Sequence, residues 1–124
     1  MGLFGFRKKE SVNKINWIEL TEEKTLNDIV EASKDKPVLI LKHSTRCSIS
    51  SMALNRIENN WNFEDDELTP YYLDLIQYRN VSNEIADKFR IMHQSPQILL
   101  IKNGECVLTA SHNSINTQII KVAL

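Results

Sequence analysis

The reactive side chains of this sequence gather in two short stretches. One reads His43-Ser-Thr-Arg-Cys-Ser-Ile-Ser50 and the other His93-Gln-Ser-Pro96. A cysteine thiolate attacks disulfide sulfur and also departs as a leaving group, so Cys47 has the chemistry of thiol exchange. A dithiol redox motif would carry a second cysteine three positions later, where this sequence has Ser50. A serine closes no internal disulfide, but its hydroxyl can donate a hydrogen bond to a thiolate. Arg46 and Ser48 flank the sulfur and are expected, with Ser50, to stabilise its charged form. Lowering a thiol's pKa raises its thiolate fraction but weakens its nucleophilicity, so the larger gain is in the leaving step. A protein that accepts and then releases a small thiol needs that second property.

The other candidates are weaker. Cys106 follows an Asn103-Gly104 turn and reads as a strand residue. About six residues at ~3.3 Å each separate Pro96 from that turn, about 20 Å in all. A disulfide needs its α-carbons within about 7 Å, so Cys47 and Cys106 are not expected to pair. His43, His93 and His112 match no standard metal-ligand spacing, and no metal site is expected. His93, in the loop before Pro96, is a candidate substrate contact. Ser44 and Thr45 either face substrate or finish the turn and cap the next helix. Trp17 and Trp61 read as packing residues, and Glu64-Asp-Asp-Glu67 as a solvated loop.

These residues need a scaffold, and the chain is long enough for one small α/β domain and little more: 124 residues. Lys and Arg number 15 against 16 Asp and Glu, a net charge of −1, which gives no footprint for nucleic acid. Glycine occurs only at Gly2, Gly5 and Gly104, which excludes both glycine-rich nucleotide loops. Two cysteines make neither a secreted disulfide framework nor a four-cysteine metal site within one chain. Residues 1–13 read as a flexible arm and 14–124 as the domain. No apolar run approaches a membrane span, and the N-terminus fits neither a signal peptide nor myristoylation, since Phe6 replaces the required hydroxyl. A cytoplasmic monomer is expected.

Apolar periodicity predicts a strand in Asn16–Leu20 and a helix with Leu26, Ile29, Val30 and Ser33 on one stripe, capped by Thr21 or Thr25. Val38–Leu41 reads as a strand buried on both faces. The helix after Cys47 should turn Ile49, Ala53, Ile57 and Trp61 inward, with Met52 beside them. Further elements follow: a strand in Pro70–Ile76, a helix capped by Ser82, a strand in Ile98–Ile101, a hairpin strand in Cys106–Ala110, and a final helix. The order β-α-β-α-β-α-β-β-α is that of a thioredoxin-like three-layer α/β/α sandwich with a mixed central sheet and two helices on each face. It places Cys47 at the carboxyl end of a buried strand, where open α/β sheets bind ligands, and against the unpaired N–H groups of a helix start.

With these motifs in place, the sequence resembles the YtxJ-type monothiol bacilliredoxins, roughly from Ile15 to Asn113. The most specific block is Lys42-His-Ser-Thr-Arg-Cys-Ser-Ile-Ser50, supported by Tyr72-Leu-Asp-Leu75 and Ser95–Gly104. Arg46 and Ser48 depart from the family's usual Thr-Cys-Pro-Ile-Ser. The resemblance implies a monothiol oxidoreductase that removes bacillithiol, or a similar low-molecular-weight thiol, from protein mixed disulfides. Its partners would be thiolated client proteins and the small thiol as co-substrate, without metal or nucleotide. It also implies a cis-proline at Pro96 facing Cys47, with the backbone of Ser95 exposed to substrate. Two other readings stay open: a peptide-binding or stress-response module without turnover, and an iron–sulfur binder like C-x-x-S glutaredoxins.

Overall fold

The computed structural model describes residues 15–124; the expected arm at 1–13 lies outside the described residues. The elements are β1 (Ile18–Glu19), α1 (Thr25–Ala32), β2 (Val38–His43), α2 (Ser48–Asn59), β3 (Thr69–Asp74), α3 (Arg79–Phe89), β4 (Gln97–Lys102), β5 (Glu105–Ser111), a 3-10 turn (His112–Ser114) and α4 (Thr117–Ala123). The order is the expected one, with the 3-10 turn added before the last helix. One five-stranded sheet runs β1-β3-β2-β4-β5. β1 and β2 pair parallel to β3, whereas β4 is antiparallel to β2 and β5 to β4.

β2 is buried along its whole length because both its faces are covered. Val38 and Ile40 join Leu26 and Ile29 of α1 and Val81 and Ile85 of α3 in one core cluster. Leu39 and Leu41 join Ala53 and Ile57 of α2 and Ile120 of α4 in the other. Two helices therefore cover each face, and fully burying each such aliphatic side chain contributes roughly 1.5–3 kcal/mol.

The hairpin between β4 and β5 turns on Asn103 (φ 52) and Gly104 (φ 81), the paired positive φ of a type I′ turn. Ser33 fastens this turn to the end of α1: its carbonyl accepts from Asn103 N at 2.9 Å and its hydroxyl from Gly104 N at 2.8 Å. A register shift after Leu100 sets Cys106 opposite Ile101, and Cys106 packs against the first core cluster. Trp17 and Trp61 pack against the second, as expected.

Helix starts depart from the sequence expectations. α1 begins after Lys24, which makes no side-chain cap, so neither Thr21 nor Thr25 caps it. α3 begins at Arg79 and carries Ser82 inside it, fully buried. The hydroxyls that looked like caps are used elsewhere or not at all. Only α4 has a side-chain cap among the described helices, with Asn116 accepting from Ile119 N at 3.0 Å.

Candidate active site

Cys47 is the N-cap of α2, in extended backbone conformation (φ −118, ψ 122). Its N–H donates to Ser44 O at 3.2 Å, and its carbonyl accepts from Ser51 N at 3.1 Å. No side chain caps the helix, so Ser44 and Thr45 do not fill that role. Cys47 is a partly exposed free thiol between exposed Arg46 and Ser48. Thr45 is exposed as well, whereas Ser44 is buried.

Ser50 is fully buried. Its Oγ accepts from Ser44 N at 2.9 Å and lies 2.7 Å from His43 Nδ1. This ties the last residue of β2, the turn and the first turn of α2 into one network. Ser50 was expected to serve the thiolate; its observed hydrogen bonds go to Ser44 and His43. His43 is buried, with its ring 5.5 Å from that of Tyr72. Burial pushes its pKa below the ordinary 6.5, against the opposing pull of Asp74, the Ser50 bond and Glu58.

Ser50 also explains a missed feature of α2. The inward stripe is Ser50, Ala53 and Ile57, spaced i, i+3, i+7. Ile49 and Met52, expected inside, are 48% and 60% exposed. An inward Ser50 finds two buried polar partners, and that rotates its apolar neighbours outward. Met92 and Ile76, in the loops before β4 and after β3, are 79% and 40% exposed. All four belong to the end of the sheet where Cys47 stands. A search for apolar residues adjacent to the reactive motif, rather than for periodicity alone, would have singled out Ile49 and Met52.

The Ser95–Pro96 peptide is cis, as the resemblance implied. Because Lys42 lies opposite Gln97, continuing the register sets Pro96 beside His43, at the strand end that leads to Cys47. Pro96 is buried and Ser95 half-buried. The loop before them is gripped from below. Gln97 donates to Met92 O at 3.0 Å and accepts from Gln94 N at 3.2 Å. Exposed His93 turns its Nδ1 inward, 3.2 Å from Lys42 Nζ and 3.4 Å from Ser82 Oγ. Sequence reading passed over Lys42, which is fully buried and whose pKa burial holds at about 8.

Cys106 sits at the other end of β4, opposite Ile101, which pairs with Val38 at the start of β2. Its Sγ donates to Leu108 O at 3.3 Å, and burial raises its pKa above the ordinary 9.0. It is a protonated strand residue remote from Cys47. Among the described residues, no three His, Cys, Asp or Glu are grouped to hold a metal ion, and no helix is long and apolar enough to cross a membrane.

Known proteins show the same architecture. A candidate oxidoreductase with a thioredoxin fold is 33% identical, with a TM-score of 0.74 over 86% of this chain and 91% of that one. Thioredoxin Mala s 13 from Malassezia sympodialis is 15% identical, with a TM-score of 0.69 over 94% of this chain and 96% of its own. Thioredoxin f from spinach chloroplast is 19% identical, with a TM-score of 0.65 over 90% and 88%. The fold is therefore thioredoxin-like. A family model described as monothiol bacilliredoxin BrxC matches residues 18–120. Matched over most of its length, the chain belongs to the monothiol bacilliredoxin family, and its function is a thiol redox one.

Proposed function

We propose that the protein is a monothiol thiol–disulfide oxidoreductase that strips bacillithiol, or a similar small thiol, from protein mixed disulfides through Cys47. The observation that carries this reading is the partly exposed Cys47 at the α2 cap with buried Ser50 where a second thiol would stand. Cys47 thiolate attacks the small-thiol sulfur of a client mixed disulfide. One S–S bond breaks and one forms, and the client cysteine departs as thiolate with the electron pair. A second small-thiol molecule then attacks the adduct on Cys47. It forms the small-thiol disulfide and restores Cys47 thiolate, so the client cysteine is reduced and the second small thiol is oxidised, joined to the one taken from the client.

The exposed Ile49, Met52, Ile76 and Met92 offer apolar contact to the client chain, and the cis Ser95–Pro96 segment offers its backbone. Arg46 and Ser48 flank the sulfur as thiolate-stabilising groups, and Thr45 and His93 line the approach, while buried Ser44 holds the turn through its N–H to Ser50 Oγ. The expected setting is a cytoplasmic monomer that needs no metal or nucleotide. Intact-mass measurement after exposure to bacillithiol disulfide and, separately, to glutathione disulfide tests the reading. A single bacillithiol adduct on Cys47 is expected. An adduct only on Cys106, or none with either disulfide, would refute it.

A further inference from the structure

Beyond the end of α2 remote from Cys47, the surface opens into a cavity of about 320 Å³. Trp61, Phe63, Leu68 and Pro70 form its apolar wall, and exposed Glu64 and Asp65 line it too. The rings brace one another, with Trp61 6.0 Å from Trp17 and 4.9 Å from Phe63. Asp66 and Glu67 continue the acidic stretch, so four carboxylates follow one another between α2 and β3. Among the described residues, no Lys or Arg forms a salt bridge with any of them. Lys36 donates instead to the Asp65 carbonyl at 2.8 Å. Lys121 stands over the Phe63 ring, 5.7 Å from its centroid, so this aromatic wall already takes a cation on one ring.

Ile15 and Asn16 line the same cavity, and residue 15 is where the described chain begins. Residues 1–14 are therefore tethered at its edge. They hold Phe4, Phe6, Arg7, Lys8, Lys9 and Lys14 against a single acid, Glu10. With four of the 15 basic and one of the 16 acidic residues, this segment is net +3 and residues 15–124 are net −4. Lys9 is six residues from Ile15 and Phe6 is nine. At ~3.3 Å per residue that is a reach of about 20 and 30 Å, enough to turn back onto the cavity and its acidic border. A short tether supplies an effective concentration on the order of mM, so even a weak contact is populated.

We propose that this cavity docks the chain's own N-terminal segment: Phe6 enters against Trp61, Phe63 and Leu68, and Arg7, Lys8 and Lys9 pair with the carboxylates of residues 64–67. The two stretches match in order, an aromatic followed by cations at Phe6-Arg-Lys-Lys9 and an aromatic followed by acids at Phe63-Glu-Asp-Asp66. Pro70 stands near the start of β3, beside the start of β2, whereas Cys47 follows the end of β2. Docking there leaves the thiol open to substrate, and the inference is independent of the exchange reaction.

Isotope-edited NMR of the full chain at low ionic strength tests this. The Phe6 ring should show nuclear Overhauser contacts to the Leu68 methyls and the Trp61 indole. The combined Arg7→Glu, Lys8→Glu and Lys9→Glu changes should abolish these contacts. Adding Glu64→Lys, Asp65→Lys and Asp66→Lys, all at exposed positions, should restore them. Absence of the contacts in wild type would overturn the proposal whatever the variants do. Contacts that survive the first set of changes, or that fail to return with the second, would overturn it as well. An equal mixture of labelled and unlabelled chains separates the remaining occupant. Contacts between labelled and unlabelled copies would assign the cavity to a second molecule and refute docking within one chain.

Discussion

Ser50 decides much of the local structure around the sulfur. Its hydroxyl satisfies the N–H of Ser44 and one nitrogen of His43, and all three residues are buried. Removing it leaves two buried polar groups without a partner, which costs about 1–3 kcal/mol for each such group. Ser50→Ala should therefore lower the unfolding free energy by about 2–6 kcal/mol in urea titration, and a neutral result would show that water replaces the hydroxyl. Cys106 is the contrasting case. Its thiol is half-buried, protonated and bonded to its own strand. Cys106→Ser should leave small-thiol transfer within about twofold of wild type, below the roughly tenfold change that 1.4 kcal/mol makes. The sequence singled out Cys47 and Ser50 because their chemistry is tied to spacing, and Pro96 through the family resemblance. It did not reveal where the Ser50 hydroxyl points, because that depends on His43 and on a turn whose backbone N–H comes into place only in the fold.

Among the elements, β2 does the positioning. Its alternation sends Lys42 toward α3 and the loop before β4, and His43 toward α2 and Tyr72. The apolar run Val38–Leu41 made this strand easy to find in the sequence. His43 was read as ending a strand, as it does, but burial of Lys42 was not foreseen, since a charged residue usually ends a buried run and only tertiary partners can keep it inside. The helices were found for the same reason as the strands, and the start of α2 after Cys47 with them, but the caps of α1 and α3 were missed because capping depends on where a hydroxyl lands. Lys42 carries a measurable signature. Its folded pKa is about 8 against an ordinary 10.5. Between those values the unfolded chain holds a proton that the folded chain has lost, so this group's contribution to stability rises with pH. The difference in unfolding free energy between wild type and Lys42→Met should shift by about 3 kcal/mol in favour of wild type from pH 8 to 10.5. At pH 7 the variant should be at least as stable as wild type, because a hydrophobe replaces an unpaired buried charge. A difference flat with pH would show that Lys42 is solvated.

At the scale of the whole molecule, one end of the sheet gathers the chemistry and the other closes the core. Cys47, the cis Ser95–Pro96 peptide, His93 and the exposed Ile49, Met52, Ile76 and Met92 belong to the first end. Val38, Ile101, Cys106 and the Asn103–Gly104 turn belong to the second. The two buried-side histidines add a pH dependence to the whole fold. Burial holds both His43 and His93 below 6.5, so below that pH the unfolded chain binds protons that the folded chain refuses. Stability should decline as pH falls from about 6.5, and thermal unfolding at pH 7 and pH 5 should show a lower midpoint at pH 5. The central claim, that one sulfur carries the exchange, is tested most directly by release of bacillithiol from a thiolated client protein. Wild type and Cys106→Ser should release it with free bacillithiol present, and Cys47→Ser should not. Release by Cys47→Ser at the wild-type rate would contradict the account.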